Sequence, residues 1–596
     1  MPKTSRESQR LGGSRPNRPR KRKPPTKRGE NESRRSTSAK KIKLNISESV
    51  ETESEKHYRI VDFLLVFSHI SSLVKCVACD GKISFQSWKR EGLGFTIKVT
   101  CDGCKELRFI PSSKRIDSHS YEINTRFVFV MRLLGLGLIG CDKFCGLMDL
   151  SCSFMSRTTY NLKIKKICSS VVDVAKRYFL TALKEEREAT SKENNLEDTC
   201  ELTVSGDGTW KKRGFSSLYG VASLIGYYSG KVLDVCIKSL YCHECKTWEN
   251  KLDSAEYEEW HTTHVDEGKC QANHIGASGN MEVDAIKEMF QRATTHGVKY
   301  KNYIGDGDSK TYGGIVNSKP YGDDYIINKK ECVGHVQKRM GARLRDLVKN
   351  HTEEIVTKAG KKMKRKILGG KGNLTAKMID KLTVYYGLAI RRNHESVEKM
   401  NTAIWATYFH YSSTDANPQH HKCPKGESSW CEWQKANATG DLSTFKHSYI
   451  ALPDNVLQAM KPIYEDLSKE ELLKQCVGGF TQNNNESFNQ LIWKITPKYL
   501  SGTSTLVQIA AHLAACTFNE GNYALLNIMQ EIGIGVGTSA VEWASATDEL
   551  RVNRADGRAE LQTRENRILR RQQQQDALDI ISDSPLLYGP GIDDSV

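Results

Sequence analysis

The sequence predicts a mixed α/β core that is interrupted by a long helical insertion and preceded by a cysteine-rich module and a helical segment. Two short β-type runs, at 202–210 and 303–309, each contain an acid followed by glycine. Apolar residues recur at helical spacing over much of 336–475, which indicates an inserted helical region. Two Cys-x2-Cys pairs near the N-terminus indicate a small metal-stapled module.

The predicted core follows a strand, strand, strand, helix, strand order. After the first run, strands are expected at 217–228 and 231–241, a helix at 281–296 and a fourth strand at 299–305. Residues 324–328 are expected to form a fifth strand. This order places chemistry-bearing residues at strand ends, where a cation can approach.

Three acids in this core could converge to hold metal ions. Asp207 lies in the first strand, Asp306 directly follows the fourth, and Glu486 lies far downstream in a predicted helix. Carboxylates are the ligands that Mg²⁺ prefers, and two divalent ions (Mg²⁺ or Mn²⁺) support phosphodiester chemistry. Asp308 is an alternative to Asp306, and each acid alone is also compatible with an ordinary turn or a helix first turn.

The N-terminal cysteine pairs have the spacing of a structural zinc site. About 21 residues separate the two pairs, and 82–99 alternates like a pair of strands, as in a zinc ribbon. The expected Zn²⁺ ligands are Cys76, Cys79, Cys101 and Cys104.

Two later Cys/His-rich segments are further candidates for metal binding. In the loop at 242–280 we favour Cys242, Cys245, His264 and Cys270 as a Zn²⁺ ligand set, and His261 and His274 lie nearby. The segment at 416–435 is a possible third metal-stapled loop, with His420, His421, Cys423 and Cys431.

Positive charge is concentrated at the N-terminus. Of the formal net charge of +17, most comes from residues 1–45, which hold 16 lysines and arginines against 3 acids. Such an arm is typical of disordered segments for nuclear import or nucleic-acid contact, with its densest clusters at 21–28 and 40–43. No apolar run approaches the roughly 18 residues that span a membrane, and no signal peptide is expected. We therefore expect a nuclear protein without a membrane segment, in a reducing compartment.

The expected segments in chain order are a disordered basic arm at 1–56, a zinc-ribbon-like module at 57–125, a helical domain at 126–198, the first part of the α/β core at 199–335 with the Cys/His-rich loop at 242–280, a helical insertion at 336–475, the last part of the core at 476–535, and a charged helical or disordered tail at 536–596.

Four separate motifs, in the same order, resemble an animal-type Mutator-like element transposase. They are Asp207-Gly208-Thr209-Trp210-Lys211-Lys212-Arg213-Gly214, Gly305-Asp306-Gly307-Asp308-Ser309-Lys310, Glu331-Cys332-Val333-Gly334-His335-Val336-Gln337-Lys338-Arg339-Met340-Gly341 and Asn484-Asn485-Glu486-Ser487. The resemblance implies a ribonuclease-H-like fold of the DDE superfamily, with an all-helical insertion before the glutamate. It also implies a Cys-x2-His motif, which falls on Cys332 and His335.

The resemblance implies metal-dependent cutting of double-stranded DNA at element ends, followed by strand transfer into a target, by an oligomer assembled on DNA. Lys211, Lys212, Arg213, Lys338 and Arg339 are candidate phosphate contacts. The alternative function is a domesticated zinc-containing DNA-binding protein without catalysis. A nuclease on the same fold is a third, weaker hypothesis.

Overall fold

The computed structural model describes residues 41–42, 50–53, 58–117, 120–212, 216–307, 309–356, 362–499 and 502–561. Arg213, Asp308 and the basic cluster at 21–28 lie outside these ranges. The chain divides into two units, Thr37–Asn553 and a second one of Met1–Ser36 with Arg554–Val596, of which only 554–561 is described. Across the described ranges, we find no helix with the length and apolar content needed to cross a bilayer.

The N-terminal module is a helix on a small sheet. Helix α1 (Phe63–Leu73) precedes an antiparallel sheet in the order β1-β2-β3, formed by Ile83–Glu91, Gly94–Cys101 and Leu107–Pro111. A short hairpin of β4 (Arg115–Asp117) and β5 (Ser120–Tyr121) follows. The expected strand pair at 82–99 is confirmed.

Helix α1 packs on the sheet along one side. Its sequence is largely apolar, yet none of its residues is buried. Phe63 and Phe67 pack on Phe95 and Phe85 of the sheet, whereas Leu64 on the outer side is 74% exposed. The module is too small to cover both sides of this helix.

Three helices connect the module to the central sheet. They are α2 (Glu122–Leu133), α3 (Leu138–Leu147) and α4 (Arg157–Glu193). Ser156 caps α4 by accepting a hydrogen bond from the Thr159 backbone amide.

The central sheet has five strands in the order β10-β9-β6-β7-β8. Strands β6, β7 and β8 form an antiparallel meander, whereas β9 and β10 run parallel to β6. The elements of this region are β6 (Glu201–Trp210), β7 (Tyr219–Gly226), β8 (Val232–Ser239), α5 (His243–Thr247), α6 (Ala255–Asp266), α7 (Asn280–Ala293), β9 (Lys299–Gly305), α8 (Ser309–Ser318) and β10 (Asn328–Glu331). The predicted strand, strand, strand, helix, strand order of the core is confirmed, with the short helices α5 and α6 lying in the Cys/His-rich loop.

The fifth strand was misplaced by the sequence. It was expected at 324–328, but β10 begins at Asn328 and pairs with Asn302–Gly305 of β9. Its sequence, Asn-Lys-Lys-Glu, carries no apolar alternation, so only its pairing with β9 makes it a strand.

The two faces of β6 serve different purposes. Leu202 and Val204 face the core beneath α7, together with α8 and the tyrosines of β9. The alternate residues point to the other face, where α4 and the C-terminal helices pack on β7 and β8. Asp207 belongs to this second set, because it alternates with Gly206 and Gly208.

The insertion is mostly helical and has its own core. Its helices are α9 (Val333–Asn350), α10 (Ala376–Arg392), α11 (Val397–Ser412), α12 (Glu432–Thr439), α13 (Asp454–Leu467) and α14 (Glu470–Cys476). A hairpin of β11 (Thr352–Val356) and β12 (Lys362–Lys366) interrupts the insertion, which was expected to be helical over 336–475. The β-branched residues Thr352, Ile355 and Val356 favour extended backbone there.

Four helices complete the described chain: α15 (Asn483–Ile495), α16 (Ser504–Glu520), α17 (Tyr523–Ile532) and α18 (Thr538–Leu561). Gly521 separates α16 from α17, and its φ of 80° and ψ of −168° are accessible only to glycine.

Part of the N-terminal arm lies against the core. Lys41 donates to the Gly230 carbonyl oxygen and its ammonium sits 3.5 Å from the centroid of the Phe518 ring. The Glu53 amide donates to the Val536 carbonyl. These residues of the predicted arm are therefore placed on the folded unit.

Asn519 of α16 fastens the edge strand β8. Its side chain is fully buried, accepts from the Val232 amide at 2.8 Å and donates to the Val232 carbonyl at 2.8 Å. The amide thus takes the place of a neighbouring strand at this edge.

Asn519→Ala should lower the free energy of unfolding by about 2–3 kcal/mol, because it leaves a buried amide and a buried carbonyl without partners. Urea denaturation of the two proteins measures the difference. Asn317→Ala, on the exposed side of α8, is the control and should change stability by less than about 0.5 kcal/mol. Equal stabilities of the Asn519 variant and the wild type would contradict this role.

Candidate active site and metal centres

A seam of side-chain hydrogen bonds joins β6 to α15. Three residues of the strand face that helix at intervals of two, and their partners on the helix are spaced by four. Ser205 donates to Asn485 at 2.7 Å, Asp207 accepts from Asn489 at 2.7 Å, and Thr209 accepts from Trp493 at 2.8 Å. The strand period of two and the helix period of about four thus run in register.

Gln482 extends the seam to a histidine. Its Nε2 donates to the Gly206 carbonyl at 2.7 Å, and its Oε1 accepts from His335 Nδ1 at 3.0 Å. His335 lies in the first turn of α9, and its Nε2 is 4.0 Å from a carboxylate oxygen of Glu486. The predicted Cys-x2-His motif is therefore joined to β6 and faces the third acid.

Asp306 follows the last residue of β9. Because β9 runs parallel to β6, both acids lie toward the same end of the sheet. The next residue, Gly307, has φ of 90°, and a Cβ there would collide with the Arg339 guanidinium. Only glycine therefore fits the turn directly after Asp306. The alternative acid, Asp308, lies outside the described residues.

Glu486 lies in the first turn of α15, next to the buried Asn485. It is exposed, and a carboxylate oxygen is 3.7 Å from the Lys338 ammonium. The partial positive charge at the N-terminal end of the helix lies beside this carboxylate.

The other two acids act electrostatically on Asp207. Its pKa is raised to about 6, chiefly by burial and also by the negative charges of Asp306 and Glu486, whereas His335 opposes this shift. Like charges that face one space are relieved by a cation between them. This is the observation that fits divalent ions to Asp207, Asp306 and Glu486.

The carboxylates are not tightly clustered. Within the described ranges, three Cys/His groups have all of their ligand atoms within 4.8 Å of one another, and the acidic trio is not among them. The acids are thus spread more widely than the ligands of a single tetrahedral ion.

Cys332 and His335 form a polar pair beside the acids. Burial disfavours the Cys332 thiolate, but hydrogen bonding to His335 outweighs it and lowers the thiol pKa. The same hydrogen bond raises the pKa of His335. The Cys332 amide also donates to the Gly305 carbonyl, so the pair is held at the end of β9.

The candidate phosphate contacts have different environments. Lys211 is only 6% exposed, and its ammonium points inward. Arg339 donates to Glu331 at 2.7 Å. Lys212 and Lys338 are exposed and present their charges to solvent, whereas Arg213 is outside the described residues.

The four N-terminal cysteines lie together, as the ribbon pattern predicted. The sulfurs of Cys76 and Cys104 are 3.6 Å apart, and those of Cys79 and Cys101 are 3.4 Å apart. A tetrahedral zinc ion with bonds of about 2.0–2.3 Å separates its ligand atoms by roughly 3.3–3.8 Å. The thiols therefore have the spacing of a zinc site.

The set favoured in the 242–280 loop is also brought together. Cys242 lies 3.4 Å from His264 Nε2, and Cys245 lies 3.6 Å from Cys270. The other ring nitrogen of His264 is 3.3 Å from the Glu244 carboxylate, an outer contact that orients metal-binding histidines.

The sequence did not single out Asn489, Asn485 or Gln482 as site residues. Gln482 directly precedes α15, and Asn485 and Asn489 follow it at spacings of three and four residues, so all three lie on one face of the helix. This spacing is the feature of the sequence that indicates them. Which strand this face meets, however, depends on the tertiary fold.

One comparison identifies relatives of this chain. The family model described as Mutator-like transposase matches residues 57–431. Neither a curated protein nor a solved structure matches the chain.

Asp207→Asn should stabilise the protein at pH 8 by about 1–2 kcal/mol when Mg²⁺ and Mn²⁺ are absent. The folded state holds the Asp207 proton up to a pKa of about 6, whereas the unfolded chain releases it near 4. The charged carboxylate therefore destabilises the fold above this window, and the gain should shrink from pH 6 to pH 4.

Urea denaturation at several pH values, with zinc retained, measures the gain. Asp253→Asn, at an exposed position, is the control and should show no such trend. A gain for Asp207→Asn that stays constant from pH 4 to pH 8 would contradict the assignment.

Proposed function

The chain belongs to the Mutator-like transposase family, and from this premise we propose that it is a DDE-type DNA transposase of the animal type. Its reaction would be metal-dependent cleavage of double-stranded DNA at element ends, followed by strand transfer into a target. We assign the acid triad to Asp207, Asp306 and Glu486.

The observation that carries this proposal is the electrostatic coupling of three acids from β6, the end of β9 and α15. The strand order supports a ribonuclease-H-like core, in which three antiparallel strands are followed by two strands parallel to the first. The helical insertion falls between the second and third acids, as the family resemblance implies.

Two Mg²⁺ or Mn²⁺ ions at the triad would activate the attacking water or 3′-hydroxyl and stabilise the leaving oxygen. Neighbouring side chains hold the acids and His335 in position. Asn489 fixes one oxygen of Asp207, and Gln482 orients His335 toward Glu486. Exposed Lys338, 3.7 Å from Glu486, is our candidate for neutralising the scissile phosphate.

Other parts of the chain would serve DNA handling and assembly. We propose zinc at the two Cys/His groups described above, in the segments 57–125 and 242–280. The basic clusters at 21–28 and 40–43 support nuclear import and contact with DNA. Because the proposed reaction cuts both ends of an element, we also propose that the protein acts as an oligomer assembled on DNA.

Glu486→Gln and Asp207→Asn should each abolish cleavage of a labelled duplex that carries the element's terminal repeats, while DNA binding persists. The amides keep the side-chain shape but lose the charge that holds the ions. Glu549→Gln, on the exposed surface of α18, is the control and should cleave like the wild type.

Cleavage by both triad variants at the wild-type rate would remove these acids from the site. Binding without cleavage by folded, zinc-loaded wild type would instead support the domesticated DNA-binding function.

Asn489→Ala should reduce cleavage by roughly 10–100-fold, because Asp207 loses the donor that orients it. DNA affinity should change little, since Asn489 faces the strand rather than solvent. Single-turnover cleavage measures the effect, with Asn484→Ala on the same helix as the control. Equal rates for the two variants would show that Asn489 has no positioning role.

A further inference from the structure

A second lobe of the insertion has almost no hydrophobic core. Residues 413–453 connect α11 to α13, and their regular structure is limited to α12. Within the described residues, the small apolar cluster of this lobe joins Cys423 and Cys431 to Ala406 of α11, with Trp433 packed against it. Since a cluster of this size cannot order some forty residues, another interaction must hold the lobe.

Two cysteines and two histidines meet at the centre of this cluster. His420 Nδ1 lies 3.4 Å from Cys431 and 3.8 Å from Cys423, and His410 Nδ1 lies 3.9 Å from Cys423. All four residues are buried, with exposures of 9% or less, and their ligand atoms lie within 4.8 Å of one another. These separations are close to the edges of a tetrahedron around one zinc ion.

The outer contacts of His420 orient it for metal binding. Its Nε2 is 2.9 Å from Ser413 Oγ and 2.9 Å from His447 Nε2. His447 in turn directs Nδ1 to the Asp415 carboxylate at 2.5 Å. These contacts engage Nε2 and leave Nδ1 of His420 facing the cysteines, which is the arrangement found around metal-binding histidines.

We propose that His410, His420, Cys423 and Cys431 bind a third structural zinc ion. Two thiolates and two imidazoles in tetrahedral array select zinc over the hard cations Mg²⁺ and Ca²⁺. The ion fastens residues 413–453 to the last turn of α11, because His410 belongs to that helix. The proposal rests on this geometry and is independent of the proposed transposase activity.

The structure corrects the ligand set that the sequence suggested for this segment. His421 was grouped with His420 and the two cysteines, but it is exposed and its ring packs on Phe409, with centroids 4.7 Å apart. The fourth member, His410, lies before the cysteine-rich segment and was not singled out.

Two hydrogen bonds next to the site fix the path of the chain from the lobe back to the core of the insertion. Tyr449 donates from its hydroxyl to the His410 carbonyl at 2.5 Å, and the Leu452 amide donates to the Tyr411 carbonyl at 2.9 Å. The end of the lobe thus runs back along α11, beside the metal ligands, before α13 begins.

The test is the zinc content of the purified full-length chain, measured by plasma mass spectrometry. Cys423→Ala/Cys431→Ala should contain one zinc ion fewer per chain than the wild type, whatever the occupancy of the other two groups. The matched control, Cys476→Ala/Cys516→Ala, removes two buried cysteines outside the three groups and should keep the wild-type content. An unchanged content in the Cys423/Cys431 variant would overturn the proposal.

A labelling experiment on the wild type avoids any folding defect of the variants. After treatment with a chelator, Cys423 and Cys431 should react with iodoacetamide, whereas in the zinc-loaded protein they should be protected. Fully buried Cys516 reports on global unfolding and should stay protected in both. Equal labelling of Cys423 and Cys431 with and without chelator would contradict metal protection.

A positioning variant separates zinc binding from lobe packing. His447→Ala should keep the zinc ion but lower its affinity by about 10–100-fold, as loss of an outer partner does at other zinc sites. Competition with a chromogenic chelator measures this affinity. An affinity equal to that of the wild type would remove His447 from the site.

Discussion

The hydrogen-bonded seam between β6 and α15 is the constraint on which the candidate active site depends. Asn485 is fully buried and bonds both the hydroxyl and the carbonyl of Ser205, and Gln482 bonds the carbonyl of Gly206. A buried amide without partners costs several kcal/mol, so sliding α15 by one turn would be strongly unfavourable. Because Glu486 is adjacent to Asn485, the bonds that fix the helix also fix the position of this acid in the chain.

The same site opposes the stability of the fold. The raised pKa of Asp207 shows that the protein holds this carboxylate in a half-buried position near two other acids. A sequence selected only for stability would replace one of them, so their juxtaposition points to function. Lys338 and His335 compensate Glu486 on its exposed side, whereas Asp207 has an uncharged donor, Asn489.

The sequence predicted those features that depend on local pattern. Acids followed by glycine in two predicted strands indicated Asp207 and Asp306, and the spacing of cysteines indicated two Cys/His groups. Both patterns are short-range. It did not predict contacts that depend on the tertiary fold, such as the bond from Asn489 to Asp207 or the approach of His410 to Cys423. Polar residues on a helix face look alike whether they meet solvent or a strand. The strand β10 was misplaced for the same reason, because pairing with β9 rather than alternation defines it.

The long insertion leaves the candidate site intact because its two ends are joined. The Val333 amide, at its entry, donates to the carbonyl of Phe480, at its exit, at 2.9 Å. The insertion therefore closes as a loop directly beside Asp306 and Glu486, and its first helix, α9, brings His335 and Lys338 to Glu486. This closure explains how the lobe at 413–453, with its small apolar cluster, can be inserted in the chain between Asp306 and Glu486. Its order can depend on a metal ion at His410 and His420 without displacing α15 from β6.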